Sequence, residues 1–321
     1  MRTTTINKPF IDPSCDLSEG ITYDARNHSL SWIDINRGYI YRTLLDSHDE
    51  PDGIKSYKID ENIGLMGLTN DVNKVIVGVS KTIDVFDFSK GAIVHNLARF
   101  PNGNVASNGW QLRSNDGCVD EKGNFWVGTM CDGSCPEVKD VGTLYRLNKD
   151  TLKLEIVMKN VGIPNGLEWH DGYMYWASSM EHIIYKFKMN NSTGLPDLAS
   201  KQPFVNMADA FKNHSNKSYT LGEPDGFSMD TEGNIYSAVW GTNRVIKINS
   251  DGKVVEEFVF PAKRISCTTI GGSKMNTMYV TSGADHDSDA SPDDQGSKIF
   301  RVQLDDQIKG IEKRRWQGPL N

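Results

Sequence analysis

Asparagine and aspartate recur in a short phrase at three places along this chain. Residues 115–117 read Asn-Asp-Gly, residues 164–166 read Pro-Asn-Gly, and residues 224–226 read Pro-Asp-Gly. Each phrase precedes an aromatic strand pattern by about ten residues. A repeat that places Asn or Asp at the same point of successive units puts these side chains at equivalent positions in space. In a closed ring they would converge on one axis, which predicts a metal site or a polar-ligand site there.

Four side chains with oxygen donors are predicted to face that axis. Glu19 precedes the first strand pattern, and Asn115, Asn165 and Asp225 hold the matching position in later units. Such oxygens suit Ca²⁺, Mg²⁺ or Mn²⁺, and Zn²⁺ also accepts carboxylates. The alternative interpretation is that Asn and Asp before glycine only form turns. In the second and sixth units the position is predicted to fall on poor ligands, Leu65 and Thr268.

Arg113 adds a cation to the same predicted cavity. It lies two residues before Asn115, and residues two apart on a strand point to the same side. The planar fork of donors on an arginine can hold a carboxylate or the oxygens of a sugar. The alternative interpretation is a surface salt bridge.

Six strand patterns organise the whole chain at a spacing of roughly fifty residues, and a second strand pattern follows each one. Their centres are Trp32, Ile76, Trp126, Tyr175, Tyr236 and Tyr279. The alternation of apolar and polar residues is typical of half-buried strands. Six units of this period predict an all-β, six-bladed β-propeller that occupies residues 1–321 as a single domain.

The ring is predicted to be closed by the N-terminal strand. Residues 3–10 form a candidate strand before the first full unit, and we expect this segment to complete the last blade. The long amphipathic helices that a parallel α/β barrel needs are missing, and residues 207–213 are the one stretch expected to form a short helix.

Composition and charge exclude several classes of function. The chain has 321 residues, of which 38% are hydrophobic and 24% charged, and a net charge of −7 argues against a nucleic-acid surface. It contains no apolar run long enough for a membrane span, and its N-terminus lacks the apolar core of a secretory signal. We therefore expect a cytoplasmic protein that is a monomer or a weak homodimer.

Two further segments are candidates for cation binding, but weaker ones. Without a signal peptide, the five cysteines are expected to be reduced thiols, and Cys131 and Cys135 lack two nearby partners for a structural zinc. The acidic residues 285–294 are expected to form a surface loop. A calcium site there is disfavoured because the order of residues lacks the glycine and closing glutamate of an EF-hand.

Taken together, residues 18–20, 113–117, 125–130, 164–167 and 224–226 resemble the successive signatures of the regucalcin (senescence marker protein)/gluconolactonase family. The match runs in the right order from about residue 14 to about residue 304. The resemblance implies a six-bladed propeller and a sugar lactonase that depends on one divalent cation (Ca²⁺, Zn²⁺, Mg²⁺ or Mn²⁺).

The resemblance also implies roles for individual residues. Glu19, Asn165 and Asp225 would be the protein ligands of the metal, and Asp225 is also the candidate general base. Arg113 and Asn115 would contact the substrate.

One departure from the family bears on specificity. Animal regucalcins carry a pair of glutamates soon after the Gly-Thr-Met motif, whereas this chain reads Cys-Asp-Gly at residues 131–133. The single remaining carboxylate, Asp132, is therefore the expected substrate contact in this loop. The loss of one hydrogen-bond acceptor leads us to expect a lactone other than glucono-1,5-lactone, such as a five-membered lactone of a deoxy or pentose sugar.

The implied reaction is hydrolysis of an aldonolactone to the aldonic acid. The metal would act as a Lewis acid on the carbonyl, and either Asp225 or a metal-bound hydroxide would take the proton of the attacking water. No Gly-x-Ser-x-Gly motif is present, which argues against a serine hydrolase.

Other functions remain as alternatives. One is a non-catalytic calcium-binding regulatory propeller, and a weaker one is hydrolysis of phosphotriester-like esters. A protein-interaction propeller of the WD-repeat type is disfavoured because the repeated Gly-His and Trp-Asp dipeptides are absent.

Overall fold

Each sequence repeat folds into one antiparallel sheet, and six such sheets surround a central channel. The computed structural model describes residues 1–136 and 140–321. Its strands form six sheets in the described residues, so the prediction of an all-β, six-bladed propeller is confirmed. Every blade begins at the axis with its innermost strand and continues outward.

The strands of the first three blades follow the predicted units. The chain begins with β1 (Arg2–Thr5), and blade one then contains, from the axis outward, β2 (Ser18–Asp24), β3 (Ser29–Asp34), β4 (Tyr39–Leu44) and β5 (Lys55–Lys58). Blade two contains β6 (Ile63–Thr69), β7 (Lys74–Val79), β8 (Thr82–Asp87) and β9 (Ala92–Arg99). Blade three contains β10 (Leu112–Ser114), β11 (Phe125–Cys131), β12 (Gly142–Leu147) and β13 (Leu154–Val161).

The last three blades differ in their outer edges. Blade four contains β14 (Pro164–His170), β15 (Tyr173–Ser178) and β16 (Ile183–Asn190), which pairs with both β17 (Leu195–Pro196) and β18 (Gln202–Asn206). Blade five contains β19 (Glu223–Met229), β20 (Ile235–Trp240), β21 (Arg244–Ile248) and β22 (Val254–Val259). Blade six contains β23 (Arg264–Gly271), β24 (Thr277–Gly283) and β25 (Phe300–Gln303), and β26 (Arg315–Trp316) follows it.

Helical structure is confined to short segments between strands. Helix α1 (Met207–Phe211) lies within the stretch expected to be helical, and Asn206 caps it by accepting a hydrogen bond from the Asp209 N–H. Short 3-10 turns occupy Pro101–Gly103, Ser179–Glu181, Leu198–Ser200 and Lys217–Leu221. Within the described residues, no helix is long and apolar enough to cross a membrane.

An aspartate organises the turn between the first two strands of blades three and five. Asp120 accepts hydrogen bonds from the Asn124 backbone N–H, its side-chain amide and the Trp126 indole. Asp230 holds Asn234 and Tyr236 in the same way. The motif therefore ties each turn to the buried aromatic residue of the following strand, which sets the pairing register of these blades.

The core is divided into six apolar clusters, and each cluster fills the space between two neighbouring blades. Trp126 of blade three packs against Trp169 of blade four, with ring centroids 5.2 Å apart. Since each sheet buries its faces only against its neighbours, no blade is stable by itself and the ring must close.

The ring closes through both ends of the chain. Ile11 forms an antiparallel bridge with Ile299 of blade six, as expected for the N-terminal segment. Strand β1 lies one blade earlier, where it pairs in parallel with β22 at the outer edge of blade five. The segment therefore ties blades five and six together rather than adding only to the last blade.

The C-terminal segment, residues 307–321, forms a strap that the sequence did not predict. The Gly310 N–H bonds to Met275 O of blade six, the Ile311 N–H to Met229 O of blade five, and the Gln317 N–H to Gly123 O of blade three. Strand β26 then pairs in parallel with β6 of blade two. The strap crosses the end of the channel at which the innermost strands finish.

One expectation about the cysteines is wrong. Cys131 and Cys135 are paired in a disulfide, with their Cα atoms 6.1 Å apart, whereas Cys15, Cys118 and Cys267 are free. The turn in which Ser134 donates to the Asp132 carboxylate folds the chain back and brings the two sulfur atoms together. The spacing alone did not reveal this turn.

Candidate metal and substrate site

The predicted axial residues lie together at the end of the channel where the innermost strands start. Glu19, Asn115, Asn165 and Asp225 are all buried, with 6–8% of their surface exposed. A β-bulge follows Glu19 and Asn165 directly and interrupts the pairing of β19 at Asp225. A bulge changes the direction in which nearby side chains point. Here a bulge lies at the axial residue of three blades.

The pairing register corrects the assignment in the other two blades. In blade two, Ile63 pairs with Val79, so Gly64 holds the axial position rather than Leu65. A Cβ atom there would lie only 2.2 Å from the backbone oxygen of Ser114. In blade six the position belongs to Ser266 rather than Thr268, and its hydroxyl donates to Ser18 O. Neither blade offers a carboxylate to the axis, as expected.

A continuous hydrogen-bond network joins the polar residues of blades three, four and five. Arg113 Nη1 donates to Asn115 Oδ1 over 2.8 Å, and Asn115 Nδ2 donates to Asn165 Oδ1 over 3.0 Å. Asn165 Nδ2 donates to Ser179 Oγ over 2.9 Å, and this hydroxyl donates to Pro224 O. The network fixes the orientation of the Asn165 amide and leaves its carbonyl oxygen one further lone pair.

The two carboxylates at the axis are poorly compensated. Glu19 accepts one hydrogen bond from the Gly20 N–H, and Asp225 accepts one from the Gly226 N–H, each 3.0 Å long. No other described residue donates to either side chain. Burial raises the pKa of both groups, and so does the negative charge of neighbours: Asp116 acts on Glu19, and Glu19 acts on Asp225. Two buried, desolvated anions with a spare amide oxygen beside them form a donor set suited to a hard cation.

Arg113, the predicted substrate contact, is the cation whose charge acts on Glu19. Burial lowers the pKa of its guanidinium to about 10, and the charges of Glu19, Asp132 and Asp225 oppose that shift. Asp132 is half-buried on the adjoining loop, where its backbone N–H bonds to Gln111 O. The structure therefore brings Asp132 close enough for its charge to act on Arg113, which is itself bonded to Asn115.

Asp116 is a residue that sequence reasoning missed. It follows the axial Asn115 and takes the bulge position that is glycine after Glu19, Asn165 and Asp225. Its carboxylate accepts the Gly117 N–H over 2.7 Å, and burial raises its pKa to about 6. The sequence did carry a signal for this residue, since only here does an Asp stand between the axial residue and the glycine.

Beneath these residues, a cavity of about 40 Å³ continues along the axis. That volume accommodates about two water molecules. Asp116 and Cys118 line it together with Glu168, and Lys313 and Arg314 of the C-terminal strap close it. Glu168 accepts from Lys313 Nζ at 3.1 Å and from Arg314 Nη1 at 2.5 Å.

No second cation site emerges from the described residues. They contain no cluster of three or more His, Cys, Asp or Glu side chains placed to hold a metal, so a site at the axis depends on the Asn165 amide. Carboxylates of the acidic loop 285–294 are paired with basic side chains of the protein. Asp285 and Asp287 form ion pairs with both Lys263 and Arg264.

Comparisons with known proteins agree with this architecture. Residues 17–284 match the family model described as the SMP-30/Gluconolactonase/LRE-like region. The chain is 32% identical to the cell growth-regulated gene 1 protein of Candida albicans over 95% of both chains. It is 28% identical to an L-arabinolactonase of Azospirillum brasilense, over 83% of this chain and 80% of the relative. A calcium-binding protein, regucalcin, from Agrobacterium tumefaciens superimposes with a TM-score of 0.82 over 99% of both chains at 20% identity, and this likeness concerns the fold.

Proposed function

Since the chain belongs to the SMP-30/gluconolactonase/LRE-like family, we propose that it hydrolyses a sugar lactone to the aldonic acid and that it requires one divalent cation. The observation that carries the proposal is the convergence of Glu19, Asn165 and Asp225 from three blades at one end of the channel. Apart from one backbone N–H each, the buried carboxylates of Glu19 and Asp225 have no donor among the described residues, as the ligands of a cation would.

The residues present fit such a cation. Asn165 is oriented by Asn115 and Ser179 so that its carbonyl oxygen keeps a free lone pair. Glu19 and Asp225 would complete the protein ligands. When bound, the cation would supply Lewis-acid polarisation of the lactone carbonyl and positive charge for the oxyanion.

The side chains around the site then have separate tasks. Arg113 is held by its bonds to Asn115 Oδ1 and Ser114 O, which presents the rest of its fork to the substrate oxygens. The second oxygen of Asp225, Oδ2, is not engaged by the Gly226 N–H and can accept the proton of the attacking water. The charges of Glu19 and Asp116 raise the pKa of Asp225 further, after burial, which makes it a stronger base.

We further propose a five-membered aldonolactone as substrate. Asp132 is the first carboxylate of the loop after β11, and two hydrogen bonds from Ser134 hold its side chain close to the turn in which it lies. A short acceptor favours a small sugar over the larger six-membered ring. The similarity to an L-arabinolactonase supports this choice.

The test is hydrolysis of a panel of aldonolactones by protein that has been stripped with a chelator and reloaded with Ca²⁺, Mg²⁺, Mn²⁺ or Zn²⁺. Spontaneous ring opening is subtracted for every lactone. We expect hydrolysis only after reloading. Asp225→Ala should lose both cation binding in calorimetry and activity, while its circular dichroism spectrum stays unchanged. Cation binding without hydrolysis of any lactone would instead favour the non-catalytic calcium-binding alternative.

A further inference from the structure

The residue two positions before the axial one can be compared between blades. In blade three, Arg113 pairs with Met130 and Ser114 with Thr129. In blade five, Glu223 pairs with Trp240 and Pro224 with Val239. Arg113 and Glu223 therefore occupy equivalent positions, two blades apart around the axis.

Glu223 lies two residues before Asp225 on β19, directly ahead of the bulge that interrupts the pairing at Asp225. Its charge is among those that act on the Asp225 carboxylate. Because Asp225 belongs to the proposed metal-binding set, Glu223 lies beside that set.

The Glu223 carboxylate has no hydrogen-bond donor among the described residues. Glu223 is half-buried, and the charge of His182 is what opposes the cost of burying its carboxylate. By contrast, Arg264 at the equivalent place in blade six pairs with Asp285 and Asp287. A partly desolvated carboxylate without a donor is unfavourable, and a ligand hydroxyl would relieve that cost.

The surroundings of Glu223 suit a sugar. Its strand partner Trp240 is half-buried, and the edge of the indole lies 3.0 Å from the point that a Cβ atom on Gly283 would occupy. His182 is near enough for its charge to act on Glu223, and its Nδ1 lies 3.3 Å from Gly222 O. A sugar ring carries both hydroxyl groups and apolar C–H faces. A carboxylate that accepts hydrogen bonds beside an indole can therefore contact both kinds of surface.

We propose that Glu223 is a specificity-determining residue of the lactone site and accepts a hydrogen bond from a sugar hydroxyl on the side away from Arg113. Trp240 forms the apolar wall beside it. This inference rests on the proposed lactonase function, and it gives blade five a part in hydroxyl recognition beside the part proposed for Asp132.

The test compares Glu223→Gln and Glu223→Ala with the wild type on aldonolactones and on matched deoxylactones that lack one hydroxyl each. We expect kcat/KM for the preferred lactone to fall about 10- to 100-fold, mostly through KM, as for the loss of a hydrogen bond to a charged group. For the deoxylactone that lacks the recognised hydroxyl, kcat/KM should hardly change. Glu232→Gln, which removes the same charge from an exposed turn of the same blade, is the matched control and should behave as wild type.

Two results would overturn the inference. One is an equal loss for every lactone, and the other is a loss of cation affinity in calorimetry, which would make Glu223 a metal ligand. If the wild type hydrolyses no lactone with any cation, the proposed function fails instead. Calorimetric binding of aldonates to the cation-loaded wild type and to Glu223→Gln then tests the contact separately, and equal affinities would refute it.

Discussion

Asn115 of blade three donates a hydrogen bond to Asn165 of blade four, with 3.0 Å between Nδ2 and Oδ1. Through Arg113, this bond links the predicted substrate contacts to the predicted metal ligands. The amide of Asn165 is held at its other end by Ser179 Oγ, so its carbonyl oxygen has one orientation. A ligand that is oriented in advance binds a cation with less loss of entropy.

The first prediction concerns that second hydrogen bond. Ser179→Ala removes the acceptor that holds the Asn165 amide, and we expect cation affinity to weaken about 10- to 100-fold. Calorimetric titration with the activating cation provides the measurement. Ser178→Ala is the control, because the Ser178 hydroxyl bonds to Glu181 rather than to the site. Unchanged affinity in Ser179→Ala would show that Asn165 does not bind the cation.

The second prediction concerns Arg113. Arg113→Lys keeps the charge but loses the planar fork, of which only Nη1 is used to bond Asn115 Oδ1 and Ser114 O. We expect cation affinity to stay the same and kcat/KM to fall about tenfold or more, because a point charge cannot replace two directed donors. The measurements are steady-state kinetics and calorimetry on the same preparations. Loss of the cation in this variant would contradict the division of roles between substrate and metal residues.

The third prediction concerns ring size. A glutamate at Gly133 would restore a second acidic residue, but Gly133 has φ +94, a conformation that strains any other residue. Asp132→Glu lengthens the existing carboxylate without that strain. We expect the ratio of kcat/KM for six-membered to five-membered lactones to rise about tenfold. Asp132→Asn, which changes charge but not length, controls for electrostatics. An unchanged ratio would place ring-size selection outside this loop.

The fourth prediction concerns stability and pH. Burial opposes the ionisation of Glu168, but the charges of Lys313 and Arg314 on the strap outweigh it and lower its pKa. The folded protein therefore favours the ionised form, so this contribution is complete above the pKa of the unfolded chain, about 4.3. It is lost as the pH falls through the lower, folded pKa.

Glu168→Gln should accordingly lower the free energy of unfolding by about 3 kcal/mol at pH 7, because it leaves two half-buried cations without their partner. The difference from wild type should narrow below about pH 4, where the wild-type carboxylate also becomes protonated. Urea unfolding at several pH values measures this. Glu121→Gln removes the exposed partner of Arg314 and should cost less than about 1 kcal/mol. A difference that does not vary with pH would show that the charge of Glu168 is unimportant.

The repeat, the blades and the axial residues could be predicted from the sequence because they depend on local patterns. Strand periodicity, the Asp120 and Asp230 turns, and an acidic or amide residue before glycine all lie within one unit. The same local reading misplaced the axial position by one residue at Leu65 and by two at Thr268. Counting along the chain cannot locate a bulge that shifts the pairing between neighbouring strands.

Contacts between distant units were decided only by the tertiary structure. Asp116 became part of the site because it lines the axial cavity that the C-terminal strap closes, and Glu223 became the counterpart of Arg113 because their strands share a pairing register. Lys313 meets Glu168 only because the strap crosses the closed ring. Sequence by itself determined the form of each blade and the residues at its start, since these follow from short-range periodicity and turn chemistry. Closing the ring determined which of them meet, because that depends on packing between segments far apart in the chain.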